Sequence, residues 1–379
     1  MFRDAYKTPL KTTKSSKPPL TLTTIPEKLT LKILDFCDYP SMASLHKVSH
    51  SLRGFIDETL PKPPIHKLLI TFEEDLVLFD MYLSTNRLPY PHGGLVNIRY
   101  SNQGRDTVVS RLKGDGEKTR RQLGEVNFLE RFFQDFLMVL KHYRTPLECF
   151  EVCGSDTIQN RTLKKYLKFF VEKMSKRKIQ AKQVWIASQE VFVFDLILPL
   201  MDPGTLRKIT LENTFPVTEI RLSNGFLRSE QWRKAKELEI YGRGTFGFET
   251  MTISRFTKVE GTIRGVGLED VMAMKEACHR CGPPKHFRLI FHRFLDDIRD
   301  SDVLGPHFSD QTKNTDNWFY SSPGTKKILH IRTPFYQHHQ RFPMLAERDN
   351  REKILEVKFI DKSKVPNGAV IQQWAQDDI

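Results

Sequence analysis

The sequence predicts a mixed α/β protein in which three short helices near the N-terminus precede strands and helices that alternate like the units of a solenoid. Between Leu22 and Ile56, apolar residues recur three or four positions apart, which is the spacing of a helical stripe. Beyond residue 63, short apolar runs with a period of two alternate with further helical stripes. No apolar run approaches the roughly 20 residues that span a bilayer, so we expect no membrane segment.

The first predicted element is a set of three helices within residues 22–62. Pro26 stands where a first helix would begin, and the missing N–H of a proline costs nothing at that position. Pro40 opens the next short turn, and a second apolar stripe runs from Leu45 to Ile56. A unit of this size buries only part of such an apolar surface by itself. We therefore expect another protein to complete its core; the alternative is an ordinary amphipathic helix pair inside a globular domain.

In their order along the chain, these apolar residues resemble an F-box, a helical motif that docks on a Skp-type adaptor. The resemblance implies that the adaptor joins this chain to a cullin ubiquitin ligase. Two positions depart from the family pattern, because Cys37 stands where a larger apolar residue is usual and Ser49 replaces a frequent cysteine. The candidate adaptor-binding residues are Leu22, Ile25, Pro26, Leu29, Ile33, Leu34, Val48, Leu52 and Phe55.

Prolines at positions 61, 63 and 64 mark a boundary after the helical motif. The segment before the motif lacks the apolar stretch of a secretory signal and is rich in Lys, Thr, Ser and Pro, so we expect a flexible basic tail. The predicted division is a tail over residues 1–21, the F-box over 22–62, a linking region of strands and helices over 63–145, and a repeat domain over 146–379.

The rhythm of the region after residue 63 predicts how its elements stack. Predicted strands begin at intervals of about 20 to 35 residues, with helical stripes between them. Each such unit buries only one side of its strand, so neighbouring units must stack to close a core, with parallel strands on one face and helices on the other. This favours a leucine-rich-repeat-like solenoid, although the period is irregular and the asparagine ladder is missing. An ordinary α/β domain is the alternative.

Two segments of this region resemble the FTH domain that follows the F-box in many nematode F-box proteins. Leu198–Leu206 contains the sequence Pro-Gly-Thr-Leu, and Glu230–Leu238 contains Glu-Gln-Trp. The resemblance covers residues 145–280 or so, and the repeat domain is accordingly FTH-like. It implies that the C-terminal region recognises the protein to be ubiquitinated.

The predicted strands also indicate a surface for that recognition. Along each predicted strand, every second residue is apolar and faces the core, as at Val184, Ile209 and Leu238. An exposed Trp and Tyr of the opposite parity, on adjacent strands, would suit a protein interface. The alternative is that they pack beneath a loop or an edge helix. The candidate target-binding residues are Trp185, Lys208, Thr210, Glu239 and Tyr241.

The formal net charge of +13 raises the possibility of nucleic-acid binding. The basic residues are divided between the N-terminal tail and a predicted helix around residues 160–176, so no single element collects them. A solvated helix face explains the second group better than a nucleic-acid patch. A surface for an acidic partner protein fits that group equally well.

No set of residues is typical of a catalytic or cofactor site. Gly114–Thr119 lacks the spacing of a phosphate-binding loop, and there is no G-x-S-x-G motif. Cys278 and Cys281 have the spacing of a zinc half-site, but only His286 and His292 could complete it. We prefer a core position for Cys278 and a helix end for Cys281, and we expect no metal, no cofactor and no catalytic residue.

The sequence therefore predicts a non-catalytic substrate-recognition adaptor of a Skp–cullin–F-box ubiquitin ligase. Its partners would be a Skp-type adaptor with its cullin and a target protein that the sequence does not identify. Five cysteines, an odd number spread over a long chain, favour a reducing compartment, so we expect the cytoplasm or the nucleus. The alternative is a nucleic-acid-binding or structural interaction protein with a basic α/β solenoid.

Overall fold

The chain divides into two units, residues 1–64 and residues 65–379. No helix among the described residues is long and apolar enough to cross a membrane. The predicted tail over residues 1–21 and Leu22 lie outside the described part of the chain. A computed structural model describes residues 25–37, 39–59, 65–83, 95–112, 118–141, 145–214, 219–242, 245–247, 253–283, 285–295, 303–321, 325–334 and 353–373.

The described residues of the first unit form three helices, as the apolar spacing predicts: α1 (Glu27–Phe36), α2 (Tyr39–Val48) and α3 (His50–Thr59). Pro26 precedes α1 as its cap instead of occupying its first turn. Its carbonyl oxygen accepts the backbone N–H groups of Leu29 at 2.8 Å and Thr30 at 3.1 Å. The proline therefore begins the helical hydrogen bonding without needing a donor of its own.

Ser49 separates α2 from α3 and caps the third helix. Its Oγ accepts the backbone N–H of Leu52 at 3.1 Å, which satisfies a donor that has no partner within the helix. A hydroxyl oxygen is a better acceptor than a sulfur atom, so the serine suits this cap.

Polar contacts join α2 and α3 beside a small apolar core. His46 Nε2 lies 3.1 Å from Asp57 Oδ1, and Arg53 Nε donates to the carbonyl oxygen of His46 at 3.1 Å. Leu52 and Ile56 of α3 are buried one helical turn apart. These contacts hold α2 and α3 against each other.

The second unit is built around one large sheet. Its elements are β1 (Ile65–Glu73), β2 (Leu76–Leu83), β3 (Leu95–Gln103), β4 (Asp106–Leu112), β5 (Lys118–Gln122), α4 (Phe128–Lys141), β6 (Leu147–Gly154), α5 (Asn160–Met174), β7 (Ala181–Ala187), α6 (Val191–Ile197), β8 (Lys208–Asn213), β9 (Glu219–Arg221), α7 (Asn224–Arg228), α8 (Glu230–Lys234), β10 (Glu237–Gly242), β11 (Thr245–Gly247), β12 (Lys258–Val266), α9 (Leu268–Cys281), β13 (His286–Phe294), β14 (Phe308–Asp310), β15 (Thr315–Ser321), β16 (Lys327–Pro334), β17 (Lys353–Asp361) and β18 (Ile371–Gln372).

The centre of the sheet is parallel. Its strands pair in the order β1, β6, β7, β8, β10, β12 and β13, so the strands follow one another across the sheet as they do along the chain. Helices such as α5 and α9 connect neighbouring strands, because a parallel pair needs a long crossover. The predicted α/β class is confirmed. The solenoid arrangement stays a prediction, although this sequential order is the one that stacked repeats would have.

Both ends of the sheet are mainly antiparallel, although the short strand β18 pairs parallel with β15. On one side β1 to β5 pair antiparallel in succession, and on the other β13, β17, β16, β15 and β14 do the same. β16 and β17 belong to the second of these ends and do not extend the parallel run. At the first end the connections are short: residues 104 and 105 join β3 to β4, far fewer than a parallel crossover requires.

A layer of aromatic side chains joins the helices to one face of the sheet. Phe136 of α4 lies 5.3 Å from Phe170 of α5, measured between ring centroids, and 5.8 Å from Phe79 of β2. A second group surrounds Trp232 of α8, whose ring lies 4.9 Å from that of Phe256. These rings are buried. Because side chains alternate along a strand, the same strands present their polar residues on the opposite face.

Candidate functional site

The first unit exposes apolar side chains. Leu29 and Ile33, one helical turn apart on α1, are 50% and 39% exposed, and Val48 at the end of α2 is 72% exposed. Leu34 and Leu52 are instead only 1% and 5% exposed. The structure therefore divides the candidate adaptor-binding residues into an outward and an inward group.

The remaining candidates in this unit have mixed surroundings. Pro26 is exposed, whereas Ile25 and Phe55 are half-buried. Large apolar side chains left in water mark interaction surfaces more often when they are contiguous, and Leu29 and Ile33 share one face of their helix. We define this pair together with Val48 as the apolar helix surface.

The second unit carries a continuous row of polar and charged side chains across its sheet. The row follows the register from β6 to β16, so its members are direct neighbours on one face. We call this the polar sheet face, and its central row consists of Glu151, Trp185, Thr210, Glu239, Glu260, Arg288, Glu356 and Arg332.

All five candidate target-binding residues lie on this face. Trp185, Thr210 and Glu239 are consecutive members of the central row, and Lys208 and Tyr241 flank it. The expectation that Trp185 and Tyr241 occupy adjacent strands is wrong, because β8 lies between β7 and β10. Two strand spacings of about 4.8 Å therefore separate their strands.

Hydrogen bonds hold the middle of the polar sheet face. The Nε1–H of Trp185 donates to Glu212 Oε2 at 2.9 Å, and Lys208 Nζ pairs with Glu239 Oε1 at 2.6 Å. Thr210 is fully buried, and its hydroxyl accepts from Gln183 at 3.0 Å. Thr210 thus orients its neighbours in this structure and presents no surface of its own.

Tyr241 is the more exposed aromatic of the face, with 37% of its surface accessible. Partial burial, with the nearby Glu239 carboxylate adding to it, raises the pKa of the Tyr241 hydroxyl to about 12. The hydroxyl therefore stays protonated across the physiological range and can donate its hydrogen bond to Glu239. The half-exposed aromatic ring suits a protein contact.

Lys67 is a member of this face that the sequence analysis missed. Its Nζ lies 2.8 Å from Glu151 Oε1, 4.7 Å from the ring centroid of Tyr82 and 5.8 Å from that of Trp185. The alternation of side chains along β1 could have shown which face of the sheet Lys67 occupies. Its neighbours come from β2, β6 and β7, however, and only the register of the folded sheet brings them together.

Carboxylates pair with most cations on this face. Glu260 lies 3.0 Å from Arg288 and 3.6 Å from Lys258. Glu356 is surrounded by His286 at 3.2 Å, Arg332 at 3.1 Å and Lys358 at 2.8 Å. Because these charges neutralise one another, the face has no row of unpaired cations along its centre that would follow a phosphate backbone.

We expect acid to destabilise the second unit through two groups of this face. The hydrogen bond from His286, with Lys358 and Arg332 nearby, lowers the pKa of Glu356 from 4.5 to about 2. Burial, with Lys358 nearby, lowers the pKa of His330 from 6.5 to about 4. In both cases the unfolded chain binds the proton more tightly, so stability is lost as the pH falls.

The loss should begin below pH 6.5 with His330 and continue between pH 4.5 and 2 with Glu356. Urea midpoints measured by tryptophan fluorescence from pH 7 to pH 3 would follow it, because all four tryptophans lie in the second unit. The variant Glu356→Gln should start less stable at pH 7 and lose less between pH 5 and pH 3. An equal decline in the variant and the wild type would contradict the assignment to Glu356.

The cysteines of the second unit are poor nucleophiles or lone side chains. Burial raises the pKa of Cys149 to about 12 and that of Cys153 to about 11, so both remain thiols. Cys278 is buried on α9 with its pKa raised to about 12, and Cys281 is the exposed last residue of that helix. Within the described ranges, no group of three His, Cys, Asp or Glu side chains has the arrangement of a metal site.

Comparison with known proteins relates this chain to nematode sequences. The model of the FTH domain matches residues 163–302. The chain is 20% identical over 319 residues to F-box A protein 224 of Caenorhabditis elegans, and the alignment covers 82% of this chain and 76% of the relative. No solved structure matches the chain significantly. The resemblance to a nematode-type F-box protein with an FTH domain is confirmed, with the domain match beginning and ending later than predicted.

Proposed function

We propose that this chain, which contains a match to the FTH domain and is similar to a nematode F-box A protein, is a substrate-recognition subunit of a Skp–cullin–F-box ubiquitin ligase. In this proposal the first unit binds a Skp-type adaptor and the second unit binds the protein to be ubiquitinated. The chain acts by holding the target near a ubiquitin-conjugating enzyme, which raises the local concentration of the target's lysines. Its place of action would be the cytoplasm or the nucleus.

The apolar helix surface is the observation that carries the adaptor half of the proposal. Burying Leu29 and Ile33 against a partner would remove them from water. Each fully buried side chain would contribute about 1.5–3 kcal/mol of favourable free energy. A few such anchors commonly supply most of the energy of an interface. Their positions on α1 agree with the ordered apolar pattern by which the sequence resembles an F-box.

The polar sheet face supports the target half. Trp185 and Tyr241 supply aromatic area, and aromatic residues are enriched in protein interfaces. Neighbouring carboxylates hold Trp185 and Lys208 in defined positions, so little side-chain entropy is lost when a partner binds. The face would therefore recognise a protein surface by shape and hydrogen bonding more than by net charge.

The chain itself would carry out no chemistry. The thiols of Cys149 and Cys153 are held protonated, whereas a thioester-forming cysteine needs an accessible thiolate. Transfer of ubiquitin would therefore belong to other subunits, and the contribution of this chain would be positional.

Co-expression with a Skp-type adaptor tests the adaptor half directly. We expect the two chains to co-elute in size-exclusion chromatography as a complex of equal stoichiometry that persists at 0.5 M salt, because an apolar contact is screened little by ions. Separate elution of the two folded proteins would contradict the proposal.

The target half can be tested in cells that express the chain with its adaptor. We expect the variant Trp185→Ala/Tyr241→Ala to keep the adaptor but to lose most of the ubiquitinated proteins that co-purify with the wild type. Leu295→Ala/Val370→Ala is a matched control, because these side chains are also exposed, at 55% and 56%, and lie elsewhere. An equal loss in both variants, or none in either, would argue against the polar sheet face.

A further inference from the structure

The helix α5 and the residues just after it carry a dense group of cations. Between residues 160 and 180 the chain has eight basic side chains and a single acidic one, Glu172. The apolar residues of the helix, among them Tyr166 and Phe170, are buried against the sheet. Because α5 covers the apolar side of the sheet, these cations lie on the side opposite the polar sheet face. The basic residues are Arg161, Lys164, Lys165, Lys168, Lys173, Lys176, Arg177 and Lys178.

Four of these cations line a cleft of about 590 Å³ beside the first turn of α4. We call it the basic cleft, and its cationic wall consists of Arg161, Lys164, Lys165 and Lys168. The ring of Phe169, half-buried, contributes an apolar part of the lining. The cleft therefore combines positive charge with an aromatic surface, and the two carboxylates in its lining belong to Asp75 and Glu172.

Hydrogen bonds from the turn between β1 and β2 hold α5 at the edge of this cleft. Glu74 Oε1 accepts from the hydroxyl of Thr162 at 2.9 Å, and Glu74 Oε2 accepts the backbone N–H of Gln159 at 3.0 Å. On the opposite wall, the side chain of Asn127 caps α4 by accepting the N–H of Leu129 at 2.9 Å. Both walls are thus fixed before any ligand arrives.

Three of the four cations of the basic cleft have no carboxylate partner among the described residues. Within the part of the chain that the structure describes, Arg161, Lys165 and Lys168 have no carboxylate within ion-pair distance. Lys164 lies over the ring of Phe192 at 5.6 Å. Like charges three and four residues apart destabilise a helix, and an anion bound between them would remove this cost. The polar sheet face differs, because most of its cations are paired.

We propose that the basic cleft binds an acidic peptide segment that carries an apolar side chain. The cations between Arg161 and Lys168 extend about 10 Å along the helix, which matches about three residues of an extended peptide. Glu172 stands one turn beyond Lys168 and Asp75 lines the same cleft, so a longer polyanion such as a nucleic acid would meet repulsion. Phe169, whose ring centroid lies 5.2 Å from Lys173 Nζ, offers an apolar surface for an aromatic or aliphatic side chain of the peptide.

Fluorescence anisotropy with the full chain tests this inference, which does not depend on the proposed ligase function. The probe is a labelled peptide of about eight residues, rich in Asp and Glu, with one central phenylalanine. We expect saturable binding that Lys165→Glu/Lys168→Glu weakens by about tenfold or more. A peptide with Asn and Gln in place of the acids should not bind, and replacing its phenylalanine by glycine should weaken binding severalfold.

The matched control is Lys176→Glu/Arg177→Glu, which changes the net charge equally, just beyond the same helix and outside the cleft. It should weaken binding by less than about threefold, since exposed charges a Debye length away are screened at 0.15 M salt. Circular dichroism would confirm that each variant is folded. Three results would each overturn the proposal: no binding, equal weakening by both variants, or tighter binding of a single-stranded oligonucleotide than of the peptide through Lys165 and Lys168.

Discussion

Exchanging Leu29 and Ile33 for glutamate should abolish co-purification of this chain with a Skp-type adaptor. Both side chains are exposed and lie one turn apart on α1, so the substitutions place two charges on the apolar helix surface. Glutamate is a good helix former, which leaves the helix itself intact. Burying an unpaired carboxylate costs several kcal/mol, so we expect affinity to fall by at least about 100-fold. A pull-down with tagged adaptor measures the effect.

The control for this prediction is Leu95→Glu/Val126→Glu. These two side chains have the same exposed fractions as Leu29 and Ile33, 50% and 39%, but they belong to the second unit. The control should retain the adaptor at the wild-type level. If the α1 variant remains folded and still binds the adaptor normally, the apolar helix surface is not the contact and the adaptor half of the proposal fails.

Replacing Gly261 by alanine should cause a large loss of stability in the second unit. A Cβ at this position would lie 2.2 Å from the carbonyl oxygen of Ile240 on the neighbouring strand β10. Gly261 also has a φ of +153°, a conformation that side chains disfavour. The sheet pairs β12 on both sides, so the backbone has no room to move. We expect a loss of roughly 3–5 kcal/mol in the free energy of unfolding.

Gly104→Ala separates the two causes. This glycine also has a positive φ, +65°, but an added Cβ would meet no atom within 4 Å. Its replacement should therefore cost only the conformational strain, about 1–2 kcal/mol. Urea denaturation followed by tryptophan fluorescence compares the two variants with the wild type. Similar losses in both would show that overlap with Ile240 is not the main cause.

The elements with strong local periodicity were the ones that the sequence predicted well. The helix predicted around residues 160–176 is α5 (Asn160–Met174). The sequence analysis gave no strand at β5, where three of the five residues of Lys118–Gln122 are charged. A strand at the edge of a sheet gains from such charges, although they conceal its strand pattern in the sequence.

The sequence also predicted the candidate sites in part. The sequence placed Trp185, Lys208 and Tyr241 on one face by parity, because alternation along a strand is a local property. It also selected the apolar residues of the first unit, but it did not separate Leu29, which is exposed, from Leu34, which is buried. Whether a residue of α1 is buried depends on which side of α1 the other helices cover. The spacing of apolar residues along one helix does not show this.

By itself, the amino-acid sequence determined the three N-terminal helices, the alternation of strands and helices, and the polar parity of the central strands. All three follow from interactions between residues close along the chain. Only the tertiary structure decided that the sheet has antiparallel ends, that Lys67 meets Glu151, and that four cations of α5 line a cleft with Phe169. These arrangements depend on register and packing between segments far apart in sequence, and local periodicity carries no information about either.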